Sequence, residues 1–269
     1  MEITVINVQT SLSQPYRLAL ISDLHNQRAA HIIDDLSRKK PAFIIINGDL
    51  LYAAVRKHGI YDHVPGSGQH IANAKNALSF LHAASKTAPV VFSTGNHELY
   101  LNDQDRELLR QLGVHLLDDA YIRLGDLVFG GLSSTYRLFA GLGTAKSKAE
   151  HQQRWKMVFD GVNTGWLDEF EQQNGYKILL CHHPEFYEPF LKSRKGIDLI
   201  LSGHAHGGQI RLFGRGLYAY GQGFFPKYTS GIYDNKLIVS RGLSNTSGIP
   251  RIGNPTELVY VDLMPKQLK

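Results

Sequence analysis

The chain has 269 residues, 43% hydrophobic and 20% charged, with a formal net charge of +5 and a sequence pI of about 9.1. That composition provides a sizeable core and fits one α/β domain, while the single cysteine, Cys181, excludes an internal disulfide framework and suits a reducing compartment. The mild positive excess suits a phosphate-bearing partner, but scattered lysines and 13 histidines make no nucleic-acid-binding stripe, and no apolar run approaches the roughly 20 residues of a membrane span.

The N-terminus "MEITVINVQTSLSQPYRLALISDLH" alternates apolar and polar residues. It lacks a basic region followed by an apolar one, so no signal peptide is read, and a cytoplasmic location is expected. Its second half, "YRLALISD", is a buried-strand pattern ending at Asp23. "QRAAHIIDDLSRKK" follows with helical spacing and is closed by Pro41. "AFIIINGD" is the next strand, ending at Asp49. Residues 52–70 fit no periodicity and read as a loop insertion close to Asp49. "HIANAKNALSFLHAASK" is helical, and "PVVFSTGN" is a strand ending at Asn96. "NDQDRELLRQLG" opens on a capping Asn102 and stops at Gly113. Residues 120–134 read as a hairpin. "YKILLCH" and "IDLILSGH" are strands that run into His182 and His204. Residues 216–263 read as short strands and Gly/Pro-rich loops of a second sheet packed on the first.

Strands alternating with helices imply βαβ units, whose ligand sites lie beyond the carboxyl ends of the strands. Asp23, His25, Asp49, Asn96, His97, His182, His204 and His206 all follow such ends. Asp23 and His25 are two apart, as are His204 and His206, so in extended backbone each pair faces one side. Carboxylates and imidazoles without thiolates suit Zn, Mn or Fe. The set is too large for one ion and suits two, which together can clamp the attacking and leaving oxygens of a phosphoryl group. A lone Asp-x-His or His-x-His arises often by chance; the ordered series does not.

The motifs "SDLH" (22–25), "NGDL" (47–50), "GNHE" (95–98), "CHHP" (181–184) and "GHAH" (203–206) give the chain a pattern that resembles the calcineurin-like metallophosphoesterase superfamily. "SGHAHGGQIRL", "GFFPKYTSGIY" and "SRGLSNTSGIP" resemble a bacterial branch related to UDP-2,3-diacylglucosamine pyrophosphatases. The resemblance implies a four-layer α/β/β/α sandwich of two packed mixed sheets, formed as a single domain over residues 1–269. It implies two divalent or trivalent ions (Mn, Fe or Zn). Asp23, His25 and His206 would hold the first ion, Asn96, His182 and His204 the second, and Asp49 would bridge. His97 would serve the leaving oxygen as a catalytic group. The implied reaction is hydrolysis of a phosphodiester or pyrophosphate bond by metal-activated hydroxide, on a phosphorylated small molecule, a nucleotide sugar or a lipid-linked substrate. Peripheral membrane contact is compatible with the branch. Rival readings are a broad-specificity phosphodiesterase, a nuclease with Arg137, Lys146, Lys148, Arg211 and Arg215 converging beside the metals, and a non-catalytic protein-binding scaffold. The expectation for Cys181 is a core position. Tyr218, Tyr220, Phe224, Phe225 and Tyr228 are expected to pack inside the second sheet, with contact to lipid or a base as the alternative. "RKK" (38–40) and "KSRK" (192–195) read as solvated helix ends.

Overall fold

A computed structural model describes residues 1–52, 55–57, 60–62, 70–98, 101–134, 148–219, 221–246 and 249–266, with backbone alone at 55–57, 60–62, 148, 151, 154 and 155. In chain order the first elements are β1 (Glu2–Thr10), β2 (Tyr16–Ile21), α1 (Ala30–Lys39), β3 (Phe43–Asn47), β4 (Val55–Lys57), β5 (Ile60–Asp62), α2 (Lys75–Thr87), β6 (Val90–Ser93), α3 (Asp103–Gln111) and β7 (Val114–Leu117). There follow β8 (Ala120–Leu124), β9 (Leu127–Leu132), α4 (Lys148–Asp160), α5 (Leu167–Glu171), β10 (Tyr176–Cys181) and β11 (Leu199–Ser202). Four two-residue strands come next: β12 (Arg211–Leu212), β13 (Arg215–Gly216), β14 (Tyr218–Ala219) and β15 (Gly223–Phe224). The chain closes with β16 (Gly231–Tyr233), β17 (Leu237–Val239) and β18 (Glu257–Pro265).

Two mixed six-stranded sheets result, in the orders β1-β18-β2-β3-β6-β7 and β16-β17-β11-β10-β9-β8. Within the first, only the β18–β2 pair is antiparallel. The second has a parallel centre and antiparallel edges at β8 and β16. Every strand expected to end on a metal-capable residue is a strand. They are not one sheet, however: β2, β3 and β6 belong to the first, and β10 and β11 to the second. The buried-run pattern shows which segments are strands but carries no pairing information.

Period-two alternation builds the layers. Leu18, Leu20, Ile45 and Val91 point between the sheets, against Phe129, Ile178, Leu180, Leu199 and Leu201. The intervening Ala19, Ile21, Ile44 and Ile46 face α1 and α2 on the opposite side. Leu179, Cys181 and Ile200 face a third cluster with Leu167 and Phe170 of α5. Cys181 is therefore core, as expected. Arg38 and Lys39 do occupy the last turn of α1. Lys192, Ser193 and Lys195 of "KSRK" are exposed after the helical turn Tyr187–Leu191, as expected, while Arg194 is drawn into ion pairs with Asp168 and Glu171 of α5. Asn102 caps α3 through a reciprocal capping box with Asp105.

The insertion at 52–70 lies mostly outside the described residues; β4 and β5 pair antiparallel within it. Phe129 fills the layer between the sheets and is wholly buried. Phe129→Ala is expected to cost about 3–5 kcal/mol of stability, read as a shift of the urea unfolding midpoint with an unchanged slope.

Candidate metal centre

The carboxyl ends of β2, β3, β6, β10 and β11 meet at one edge of the two sheets. Cross-sheet bonds hold them in register there. Asn47, at the end of β3, donates through its side-chain amide to the Leu201 carbonyl of β11 at 2.8 Å. His182 Nδ1 stands 2.8 Å from the Asn47 carbonyl.

The turns that follow the strands are backbone-strained. Asp23, His25, Asp49, His204 and His206 all hold positive φ, between +45° and +60°. Non-glycine residues visit this region rarely, and functional sites are where they concentrate. The paired residues therefore do not sit in extended backbone, as the two-residue spacing had suggested; left-handed turns aim them instead. Gly48 and Gly203 make the turns possible by leaving out a side chain. A Cβ on Gly48 would enter the His182 ring, and one on Gly203 would strike Ser22 Oγ and lie 2.8 Å from Asp23 Oδ2. Gly207 and Gly208, with φ of +66° and +76°, turn the chain away after His206, as expected.

Four overlapping clusters of potential ligand atoms form among the described residues: Asp23, His25 and His206; His25, Asp49 and His97; Asp49, His182 and His204; and His183, Glu185 and His204. Within each, the ligand atoms lie within 4.8 Å of one another. Asp49 is central. Its Oδ1 accepts from the His97 backbone N–H at 2.9 Å. Its Oδ2 lies 3.1 Å from His182 Nε2 and 3.8 Å from both His25 Nε2 and His97 Nε2. Asp23 Oδ1 is 3.5 Å from His206 Nε2 and 3.9 Å from His182 Nε2. Asn96 is flanked by Gly95 and His97, both of which abut Asp49. All eight sequence-predicted residues thus come to this one edge.

The imidazoles are oriented to present lone pairs. His25 Nδ1 faces the Leu51 carbonyl at 3.2 Å, and His182 Nδ1 faces that of Asn47. A carbonyl can only accept, so Nδ1 carries a proton in both rings and Nε2 is the atom turned to the centre. Burial drives His25 and His204 well below the ordinary histidine range, and lowers His206 and His97 as well. Burial alone would raise Asp49, but the charges of His182, His97 and His25 outweigh it and hold the carboxyl well below its usual range. Against the same burial, Asp49 pushes His182 up. Asp23 Oδ1, His25 Nε2 and Asn96 Oδ1 are buried without a hydrogen-bond partner. Buried polar atoms of this kind carry a desolvation cost unless something occupies the space between them. Oxygen and imidazole donors converging on a shared carboxylate fit a pair of transition-metal ions.

Several supporting residues carried no assigned role in the sequence. Glu98, within "GNHE", accepts from the backbone N–H groups of Asp49, Leu51 and Gly95 at 2.7–2.9 Å. Burial and the Asp49 charge push it up to about 7 against those three donors. His183, outside the expected set, is buried and bonded to Ser134 Oγ at 2.7 Å. Glu185 Oε1 lies 3.4 Å from His183 Nδ1 and 3.7 Å from His204 Nε2. Arg251 Nη2 stands 3.0 Å from His206 Nδ1, anchored by the carbonyls of Arg241 and Ser244. Tyr52 stacks on His97, with ring centroids 5.9 Å apart, so the insertion begins at the mouth of the site. Glu98 and His183 stand inside the quoted motifs and Glu185 directly after one, whereas Arg251 arrives from a distant loop.

Of the other histidines outside the motifs, His31 and His82 are exposed, His115 is half-buried and His70 bonds the Asp105 carboxylate at 2.7 Å. His58, His63 and the side chain of His151 lie outside the described residues. So do Arg137, Lys146 and the side chain of Lys148, which the nuclease reading required. Arg211 is tied to the Gly207 carbonyl at 2.9 Å rather than extended beside the centre. The expected packing of aromatics inside the second sheet holds for Tyr228, which is buried, and fails for Phe224 and Phe225, which are exposed. β14 and β15 pair outside that sheet; Ala219 of β14 reaches its core, whereas Phe224 and Phe225 stay in solvent. Tyr220 lies outside the described residues. Among the described residues, no helix is long and apolar enough to cross a membrane.

Comparison with known proteins gives the same picture. The chain is 27% identical, over 99% of its length, to an uncharacterised metallophosphoesterase of Campylobacter jejuni, and spans 64% of that protein. It is 28% identical over 93% of its length to an uncharacterised protein of Bacillus subtilis, covering 81% of it. A dimetal phosphatase of Danio rerio aligns over 84% of this chain and 87% of its own at 14% identity, with a TM-score of 0.46. The profile of the calcineurin-like phosphoesterase family matches residues 16–208, a span that holds every predicted ligand, and the chain belongs to that family of phosphoester hydrolases.

Proposed function

We propose that this protein cleaves a phosphodiester or pyrophosphate bond at a two-metal centre built from Asp23, His25, Asp49, Asn96, His182, His204 and His206. The observation that carries the reading is the convergence of three of the four ligand clusters on buried, unsatisfied carboxylate, amide and imidazole atoms. Asp23, His25 and His206 would hold one ion and Asn96, His182 and His204 the other, with Asp49 available to both. When bound, Mn, Fe or Zn would supply Lewis acidity toward the phosphoryl oxygens and lower the pKa of water toward neutrality.

The chain's own groups do the rest. Carbonyls behind His25 and His182 lock the tautomer, and Glu98 fixes the backbone on either side of Asp49. Asn96, His97 and His206 are the partly exposed members of the set, so substrate enters on their side. From there the His97 ring donates a hydrogen bond or a proton to the leaving oxygen. Tyr52, stacked on His97, limits water around that ring. A nucleotide sugar or lipid-linked pyrophosphate is the first substrate class, on the likeness of residues 202–250 to the diacylglucosamine pyrophosphatase branch; a broad phosphodiesterase is the alternative.

The decisive assay pairs a chromogenic phosphodiester with its monoester and a UDP-sugar. Stripping metal should abolish turnover, and one of Mn, Fe or Zn should restore it. Metal-loaded protein that hydrolyses none of the three would remove the broad-phosphodiesterase alternative, and protein that retains no metal would overturn the two-metal reading. His97→Ala should lower kcat by about a hundredfold to ten-thousandfold while bound metal, measured by elemental analysis, is unchanged. Gly48→Ala should weaken metal retention by about tenfold to a hundredfold, because the added methyl displaces His182; equal metal content in variant and parent would refute that account.

A further inference from the structure

After His206 the chain makes two consecutive short hairpins. β12 and β13 meet across a Phe213–Gly214 tip, and β14 and β15 form the second, ending at Phe224 and Phe225. Both are tied to the loop that carries His204 and His206. The Leu217 N–H donates to the Gly208 and Ile210 carbonyls at 3.0 and 2.8 Å, and the Phe225 N–H donates to the Leu217 carbonyl at 2.8 Å. The Asn254 side-chain amide holds the His206 and Gln209 carbonyls from the other side.

The ends of this arm are apolar and stand in water. Phe213 is fully exposed (103%), Phe225 is 80% exposed and Phe224 73%. Leu212 and Ile252, on adjoining backbone, are exposed too. The Tyr218 ring stands edge-on to Phe224, with centroids 5.3 Å apart, and leaves most of that side chain in water. Phe213 and Phe225 also hold φ of +50° and +54°, a conformation bulky residues rarely adopt. Glycine or asparagine would serve either turn with less strain. Neither core packing nor turn geometry therefore accounts for an aromatic at these places.

The arm itself carries no acid, although Glu185, against Gly221, and Glu188 stand beside it. Residues 206–233 contain Arg211, Arg215 and Lys227 and no aspartate or glutamate. Lys227 pairs with Glu188, and Arg215 is exposed at the base of the first tip. Narrow two-residue strands present little of the broad complementary area a stable protein interface needs. Protruding rings beside the exposed Arg215 instead match a bilayer interface, where aromatics enter the acyl boundary and guanidinium groups meet lipid phosphates.

We propose that the 211–225 arm docks the protein on an anionic lipid surface, with Phe213, Phe224 and Phe225 inserting and Arg215 meeting the phosphates. Docking there holds the metal centre beside the bilayer. The binding is separate from hydrolysis and stands or falls without it.

The test is cosedimentation of the full chain with vesicles of equimolar phosphatidylglycerol and phosphatidylcholine, beside vesicles of phosphatidylcholine alone. Binding is expected only to the anionic vesicles and should weaken with salt. Phe213→Ser combined with Phe225→Ser should lower partitioning by about tenfold or more, and Arg215→Glu by about fivefold to tenfold. Phe213→Trp should give emission quenched by brominated lipid. Turnover of a soluble phosphodiester should be the same in all these variants, which keeps failure of the arm distinct from failure of the hydrolytic reading. Absence of partitioning, equal partitioning of the double variant, or an unquenched tryptophan would overturn the proposal. So would a change in the protein's own sedimentation mass on the double substitution without vesicles, which would assign the tips to a second copy.

Discussion

Two carboxylates, Asp23 and Asp49, are held out of water within a few ångströms of five imidazoles. Desolvated charge of this kind is tolerated only where opposite charge and hydrogen bonds compensate for it. Much of the local structure answers that requirement. Ser22 Oγ and the His204 N–H donate to Asp23 Oδ2, and Ser244 Oγ donates to the Asp23 carbonyl. The His97 N–H donates to Asp49 Oδ1. Arg251, brought from a distant loop, places a buried cation behind His206; burial lowers its guanidinium to about 10, and Asp23 works against that fall. The left-handed turns and the glycines beside them are the backbone form of the same demand: donors must approach closely, and side chains must leave the sheet edge at steep angles.

The layered architecture follows from a different force but serves this one. Alternating strands bury one row of side chains between the sheets and the other under helices, so five strand ends are fixed by apolar packing before any ligand contact is considered. The site then inherits its rigidity from layers in which Leu18, Ile45, Leu180 and Leu201 cannot shift without opening voids.

Strands and ligands were legible in the sequence because each signal is local. A short β-branched run followed by a small residue and a ligand is readable in any one of the five segments. The sheet to which β10 and β11 belong was not, since pairing depends on contacts between segments far apart. The same limit hid Glu185, Arg251 and Tyr52, each of which reaches the centre through the fold rather than through a motif. Phe224 and Phe225 were misassigned for a related reason: composition says that aromatics usually pack inside, and only the tertiary position of the hairpin shows that these two stay in solvent. Gly48 and Gly203 stood in the quoted motifs, yet their necessity is visible only when the neighbouring His182 and Ser22 are in place.

The candidate ligands do not share one sheet. Asp23, His25, Asp49 and Asn96 follow strands of the first, whereas His182, His204 and His206 follow strands of the second. Any ion held by members of both groups acts as a clasp between the two halves of the sandwich, in addition to the Asn47–Leu201 bond. Its binding energy enters the folding equilibrium directly, since the unfolded chain keeps no such geometry. Scarcity of metal would then loosen the association of the layers as well as idle the chemistry, and the lifetime of the folded protein would track the supply of its cofactor.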